Sequence, residues 1–451
     1  MKCTLLISAA ACTAAGFIVP GQNYMKPFID SVPPTASERV PDNGDAENNI
    51  VSFTSFTEEI SDNVELSSIS ALHHPQLQHQ AGPEDDTQSY VDGLDYENWG
   101  LGNPSLFGHH GHCEHPDKTT YQLMSSKKET SLFANIISQF EDIVDLLNST
   151  EKNHTVLAPR TQSLEKVVNC HPPKEYVKKF VQYHILEEPK TLSGIFHTRT
   201  IPTLLEQDEL GDHAQRISTQ FGVTGLTINY ISRIVKPNLC AKNGFVQVLD
   251  HFLLPPFQSS DTLSFIPSVF SSFDFGLMKT GLYKRINDTC NHTGGTFFAP
   301  TNMAFRKLGP RVNAFLFSRW GEKYLTALLE YHIAFNHTLY SDAYHHPKKD
   351  EDDSKTIHVD LPTLLEHHRL SVDIAGFNRF ATMKINGFVT VASSDVITRD
   401  GVIHVLNDVL IPPKHPRHSG NPHIPRSEVD DSPVPTVEDI IERLNPYIKD
   451  H

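Results

Sequence analysis

Apolar positions along this chain fall into a short series of patterns, and each pattern occurs twice. "TSLFANIISQFEDIVDLL" puts Leu132, Ile136, Phe140, Val144 and Leu147 three or four residues apart. That spacing predicts one amphipathic helix, with Thr130 or Ser131 as its N-cap. "SSFDFGLMKTGLYKRI" repeats the design with Phe275, Met278, Leu282 and Ile286. Both segments lead through a polar stretch into a short apolar run that stops at Ala-Pro, "HTVLAPRTQSLEKV" in the first copy and "GTFFAPTNMAFRKL" in the second. A proline cannot donate a ladder hydrogen bond, so Pro159 and Pro300 end their strands. A polar residue then starts the next helix: Thr161 in the first copy, Thr301 or Asn302 in the second.

A second landmark follows each Ala-Pro. In "EYVKKFVQYHIL", Val177, Phe180, Val181 and His184 lie at i, i+3, i+4 and i+7; in "KYLTALLEYHIA", Leu325, Leu328, Leu329 and His332 do the same. Each Tyr-His pair, Tyr183-His184 and Tyr331-His332, therefore ends on the apolar stripe of its helix. The pairing invites a catalytic or ligand-binding reading. With no acid, nucleophile or second ligand nearby in sequence, the reading adopted is a core histidine satisfied by backbone. The third landmark is a polar-Gly turn, an apolar strand and a Pro-Pro stop: "NGFVQVLDHFLLPP" and "DGVIHVLNDVLIPP". The acidic "HHPKKDEDDSK" of the second copy reads as an inserted surface loop. Two copies of three landmarks in one order predict a tandem repeat.

Composition changes the picture at both ends. The opening MKCTLLISAAACTAAG has the layout of a secretory signal peptide, expected over residues 1–16 and too short to span a bilayer. Residues 17–128 are rich in Asp, Glu, Ser, Pro and His without lasting periodicity, and are expected to be a disordered acidic, His-rich lead. Residues 415–451 read as a polar tail. No transmembrane segment is expected in the mature chain. A secretory route makes the five sequons at Asn148, Asn153, Asn287, Asn291 and Asn336 candidates for glycosylation. It also makes disulfides expected among Cys113, Cys170, Cys240 and Cys290, with three pairings possible and Cys170–Cys240 favoured because both lie in one copy.

A formal charge of −16 excludes nucleic acid as the natural partner. The 26 histidines would swing that charge to about +10 on full protonation. "HHGHCEH" gathers His109, His110, His112, Cys113 and His115, ligand types for a soft divalent metal. No second pair of ligands is spaced to close the site, so no metal and no other cofactor is expected. The chain carries no nucleophile elbow, zinc-binding helix or glycine-rich phosphate loop, so it is read as not an enzyme.

The three landmarks together resemble the fasciclin-1 (FAS1) domain. "TFFAPTNMAF" is similar to the family's first block, "LLEYHI" to its Tyr-His motif, and "GVIHVLNDVLIPP", with His404, to its last block. The copy at 262–414 matches all three. The copy at 129–257 is diverged, with Arg160-Thr161-Gln162 in the first block and Gln247 where the other has His404. The resemblance implies an α+β fold: two tandem domains, each a β-wedge or sandwich of about seven strands with helices packed on one side. It implies Pro159, Tyr183, His184, Pro300, Thr301, Asn302, Tyr331, His332 and His404 as structural positions. It also implies a non-catalytic protein of the secretory pathway, in wall or vacuole, that binds wall or matrix polysaccharide or surface proteins. Metal or small-ligand binding by the His-rich arm is the alternative.

Overall fold

The computed structural model describes residues 117–168, 172–222, 225–342, 344–345, 356–366, 368–377, 380–413 and 435–448. The expected signal peptide, most of the acidic lead, and His109, His110, His112, Cys113 and His115 lie outside the described residues, as does Cys170.

Domain 1 runs α1 (Thr120–Ser126), α2 (Ser131–Ile137), α3 (Glu141–Asn148), β1 (His154–Pro159), α4 (Thr161–Val168), α5 (Lys174–Tyr183), β2 (Ile185–Leu186), α6 (Leu192–His197), β3 (Thr200–Gln207), β4 (His213–Gly222), β5 (Gly225–Ile228), β6 (Ser232–Ala241) and β7 (Gly244–Leu249). Its seven strands close into a barrel in chain order. Neighbours are antiparallel except β1 and β7, which run parallel.

Domain 2 repeats this with α7 (Ser259–Phe265), α8 (Pro267–Lys279), α9 (Leu282–Asn287), β8 (Gly295–Pro300), α10 (Asn302–Lys307), α11 (Gly309–Leu316), α12 (Glu322–Glu330), β9 (Ile333–Phe335), a small ribbon of β10 (Thr338–Leu339) and β11 (Tyr344–His345), then β12 (Thr356–Pro362), β13 (Arg369–Phe377), β14 (Phe380–Ile385), β15 (Val389–Thr398), β16 (Gly401–Leu406) and α13 (Val437–Leu444). The main sheet has the order β12-β13-β14-β15-β16-β8-β9, with β16 and β8 parallel. Beyond the end of β12, Leu364 N donates to Ile333 O of the other end strand, β9, at 2.8 Å.

The Ala-Pro strand is the spine of each domain because it is buried on both faces. In β1, Val156 and Ala158 point into the helical core with Phe133 and Ile137, while Leu157 points into the barrel with Ile201 and Ile217. A strand covered on both faces reads as a continuous apolar run, the form "TFFA" takes in β8. The glycine of each polar-Gly turn is set by close approach. A Cβ on Gly244 (φ +135°) would sit 1.8 Å from His154 O, and one on Gly401 (φ +150°) 2.0 Å from Gly295 O.

Several expectations need correction. The helix expected from Leu132 to Leu147 is two helices, and its buried face is Phe133, Ile137, Phe140, Ile143 and Leu147, with Leu132, Ile136 and Val144 half-buried. Likewise Phe275 and Met278 are 56% and 47% exposed, and Val269, Phe270, Phe273 and Leu277 face the core instead. Both segments carry apolar residues on more than one face, so periodicity alone could not fix the phase. Neither Thr130 nor Thr161 caps a helix through its side chain. The Thr130 hydroxyl donates to Met124 O at 2.9 Å, and that of Thr161 to the carbonyls of Lys128 and Glu129, each at 3.0 Å.

Order also extends beyond the expected limits. α1 lies within the stretch expected to be disordered, α7 begins at Ser259 rather than 262, and α13 lies in the expected polar tail. Their anchors are polar. Thr120 N donates to Asn243 Oδ1 at 2.9 Å and Ser259 N to Asp400 Oδ1 at 2.8 Å, so the residue before each turn glycine holds the first helix of its own domain. α13 has a Thr436–Asp439 capping box and places Ile440 and Leu444 in the core of domain 2.

Candidate functional site

The Tyr-His pairs are the chemistry-bearing groups the sequence singled out, and the two domains share their main partners, with Tyr183 Oη donating in addition to Arg216 O at 3.1 Å. His184 and His332 stand just past the ends of α5 and α12 and are fully buried. Nδ1 of His184 lies 2.8 Å from Phe180 O, and its Nε2 accepts from Leu253 N at 2.9 Å. His332 repeats this with Leu328 O at 2.8 Å and Leu410 N at 2.9 Å. An acceptor on one ring nitrogen and a donor on the other fix the neutral Nδ1–H tautomer. Burial lowers both pKa values to about 4. Each imidazole is thus a strut joining the end of its helix to the segment before Pro-Pro.

The tyrosines show a partner that the sequence reading missed. Asn229 Nδ2 donates to Tyr183 Oη at 2.8 Å, and Asn386 Nδ2 to Tyr331 Oη at 3.0 Å. Both asparagines hold positive φ, +50° and +53°, in hairpin turns, and their Oδ1 atoms accept from Ser218 N at 2.8 Å and Ser371 N at 3.2 Å. Burial raises the pKa of both phenols, leaving them neutral. The signal was present in "INY" and "ING": each asparagine stands 26 residues before the first proline of its Pro-Pro.

His404 and Gln247 occupy matching places on β16 and β7 and bridge the same two segments. His404 Nε2 lies 2.7 Å from Leu339 O, and its Nδ1 accepts from Asp395 N at 3.4 Å. Gln247 Nε2 donates to Lys190 O at 3.0 Å, and its Oε1 accepts from Asn238 N at 2.7 Å. Asp395 and Asn238 are both positive-φ residues, at +64° and +57°, in irregular stretches of β15 and β6. An amide supplies the donor and acceptor that an imidazole supplies. The first block differs more. Thr301 caps α10 by accepting from Ala304 N at 3.2 Å, and Asn302 ties α8 to it through Pro267 O, Ser268 O and Ser272 N at 3.1, 2.8 and 2.8 Å.

A second group of polar residues, not singled out in the sequence, joins the two domains. Asp342, just after the β10 segment, accepts from the backbone N–H of Arg199 at 3.1 Å, from that of Thr200 at 2.7 Å, and from the Thr200 hydroxyl. Arg199 Nε donates to Ser341 Oγ at 2.6 Å and lies 3.5 Å from Asp395, whose carboxylate is 2% exposed and also accepts from Ser341 N at 2.8 Å. Tyr230 Oη donates to Ser394 O at 2.9 Å, and Gln215 Nε2 to Thr398 O at 3.2 Å. Arg216 lies over the Tyr340 ring, 5.3 Å from its centroid. Burial, then the neighbouring Asp395, raises the pKa of Asp342.

The remaining candidates are dispersed. Asn153, Asn291 and Asn336 are exposed, whereas Asn148 and Asn287 are half-buried and accept from Thr119 Oγ1 and Ser260 Oγ. Cys240 and Cys290 are each in a disulfide bond. Among the described residues, no group of three or more His, Cys, Asp or Glu is placed to hold a metal, and no helix is long and apolar enough to cross a membrane.

The fasciclin domain matches this chain twice, over residues 128–255 and 268–412. The chain belongs to the fasciclin-domain family. Aurofusarin biosynthesis cluster protein S of Gibberella zeae is 31% identical over 352 residues, covering 73% of this chain and 86% of that protein. A fasciclin-like arabinogalactan protein of Arthroderma benhamiae is 27% identical over 321 residues, 65% of this chain and 67% of that protein. The solved FAS1 domain pair from the insect cell adhesion molecule fasciclin I is 18% identical, with a TM-score of 0.33, over 63% of this chain and 97% of that one. In both fasciclin domains the Tyr-His groups are bonded within the fold. Proteins of this family are in general adhesion and matrix proteins rather than enzymes.

Proposed function

We propose that this chain is a non-catalytic fungal glycoprotein of the secretory pathway whose two fasciclin domains bind wall, matrix or cell-surface partners. The observation that carries the reading is the use made of the family's polar residues. Tyr183, His184, Tyr331, His332, His404 and Gln247 each have their polar atoms engaged by the domain's own backbone or side chains. A histidine whose pKa is held near 4, with both nitrogens engaged, has neither a lone pair nor a proton to offer a substrate near neutral pH. Function then falls to the outer surface, as in a binding module. The sequons at Asn153, Asn291 and Asn336 lie on that surface. Pull-down of purified wall polysaccharides and surface proteins by the full glycosylated chain tests the reading; no retained partner at neutral or acidic pH would refute it.

A second reading rests on the 31% identity to a biosynthesis cluster protein, which spans most of both chains. In it the chain is an accessory component of a biosynthetic cluster. Deleting the gene and comparing secreted metabolites separates the two: an altered profile with unchanged adhesion favours the accessory role.

A further inference from the structure

The helical end of domain 2 carries an apolar, cationic face that domain 1 lacks. Trp320, in the turn between α11 and α12, is 80% exposed. Beside it, Phe275 stacks on Phe317 with ring centroids 5.7 Å apart, and Met278 follows one turn later on α8. A 3.0 Å ion pair between Lys279 and Glu322 fixes the end of α8 against the start of α12, bringing Phe275 and Met278 alongside the Trp320 turn. Phe275, Met278 and Trp320 are all among the exposed large apolar side chains. In domain 1 the path from Ala-Pro to Tyr-His is seven residues shorter and, among its described residues, has no counterpart of α11 or of this turn.

The charge around this face opposes that of the whole chain. Residues 302–321 hold Arg306, Lys307, Arg311 and Arg319 and no acidic residue, in a chain of formal charge −16; Lys307 is paired with Asp408, and Glu322, the next residue, with Lys279. Arg311, Arg319 and Lys323 are exposed, and among the described residues none of the three forms an ion pair with a carboxylate. At physiological salt, charges more than about 10 Å away are largely screened, so an approaching surface feels this local cationic set rather than the net charge.

We propose that this face docks on an anionic lipid surface, with Trp320, Phe275 and Met278 entering the headgroup region and Arg319 and Lys323 meeting phosphates. Tryptophan favours the boundary between headgroup and chain, and cations flanking exposed apolar residues are the composition of an interfacial anchor. Three features favour lipid over a polysaccharide. The apolar set includes Met278, which gives a sugar no flat ring to stack on; the carboxylate nearest Trp320 in sequence, Glu322, is taken up by Lys279; and Trp320 is 80% exposed rather than set in a groove. The sequon at Asn287 leaves this end accessible. Asn287 follows Arg285, which pairs with Glu330 at the opposite end of α12, roughly 12 Å along the helix. This inference goes beyond adhesion and does not depend on it.

The chain has two tryptophans, so a Trp99→Phe background leaves Trp320 as the reporter. Binding of the full chain to phosphatidylcholine vesicles with and without phosphatidylserine is measured by flotation and by the Trp320 emission maximum. Expected are binding only with the anionic lipid, a blue shift, quenching by brominated acyl chains, and weakening with salt. Trp320→Ala and the pair Arg319→Glu, Lys323→Glu should each lower affinity about tenfold. Because these side chains are exposed, the melting temperature should be unchanged. Wild-type binding by both variants, equal binding to neutral vesicles, or binding to polygalacturonate with none to vesicles would each overturn the proposal. So would a Trp320→Ala change from dimer to monomer without lipid, which would make the face a contact between copies.

Discussion

Domain 1 and domain 2 perform the same internal tasks with different degrees of sequence likeness. At the Tyr-His position the residues are the same and so are the partners: helix-end carbonyl, backbone N–H before Pro-Pro, turn asparagine. At the last block His404 becomes Gln247, yet the bridge between two backbone segments survives. At the first block the residues and the bonds both differ, since Asn302 binds the start of α8 and the Thr161 hydroxyl binds the chain entering α2. The comparison teaches that the motif is a set of hydrogen-bonding tasks. A position tolerates change when the substitute carries a donor and an acceptor at similar reach.

The strongest way to break the likeness is at the histidines. Replacing His184 or His332 with Ala strands a buried carbonyl and a buried N–H and opens a cavity, so each should destabilise its own domain by about 3 kcal/mol. Hydrogen exchange of the full chain should show protection fall in the mutated domain more than in the other. The same residues predict acid sensitivity. Their folded pKa, about 4, lies below the ordinary value of 6.5, so the unfolded chain binds more protons between those limits. Stability from these two sites is therefore complete above about pH 6.5, falls as pH drops towards 4, and levels off below. The slope should approach 1.4 kcal/mol per pH unit for each histidine in mid-range. Histidine-to-Ala variants should lose that part of the pH dependence, and an unchanged pH profile would contradict the buried-strut assignment.

Next in size is the junction around Arg199, where the domains supply opposite halves, the reverse of the 3.4 Å pair between Glu209 of domain 1 and Arg399 of domain 2. Domain 2 supplies the carboxylates Asp342 and Asp395, and domain 1 the backbone donors of Arg199 and Thr200 and the guanidinium of Arg199. Asp342→Ala removes one carboxylate that accepts from two backbone N–H groups and a hydroxyl, and should cost about 2 kcal/mol. Its signature is separation of the two thermal transitions, because the lost bonds lie between domains rather than within one. A lower but still single transition would mean the domains are held by other contacts.

These partners explain what could be read from sequence and what could not. Strand ends at Pro159 and Pro300, burial of the Tyr-His pairs and the tandem repeat follow from local chemistry: a missing N–H, a helical period, a recurring order. The phase of α8 did not, because Phe275 and Met278 compete with Phe270, Phe273 and Leu277, and only packing against the rest of the domain chooses between them. The junction was illegible for a different reason. Arg199 and Asp342 are 143 residues apart and each sits in an unremarkable polar stretch, so nothing local marks them as partners. α1 was assigned to disorder and α13 to a polar tail because seven or eight residues with two buried anchors give too little periodicity to detect.

Exchanging the bridge residues sharpens the comparison with a smaller effect. Gln247→Leu leaves the half-buried carbonyl of Lys190 and N–H of Asn238 without this partner, and should cost about 1.5 kcal/mol. Gln247→His should cost less than half as much if an imidazole can meet the same two groups, as His404 does. Equal losses for Leu and His would show that the amide's reach, not its donor and acceptor, fixes the site.

The smallest expected effect tests the place where the domains diverge most. Thr301 accepts from Ala304 N, satisfying one of the N–H groups that every helix leaves unpaired at its start. Thr301→Ala should therefore cost about 1 kcal/mol, and Thr301→Ser should restore most of it, because serine caps as well as threonine. Thr161 has no such duty: its hydroxyl is a donor to the carbonyls of Lys128 and Glu129, which lie at the exposed entry to α2. Water can replace a donor to an exposed carbonyl, so Thr161→Ala should cost only a few tenths of a kcal/mol. It should act on protection of the residues around Lys128 rather than on the start of α4. Hydrogen exchange resolved to these segments distinguishes the two roles. Faster exchange at the start of α4 in Thr161→Ala, matching that at α10 in Thr301→Ala, would return Thr161 to the capping role that its place in the sequence suggests.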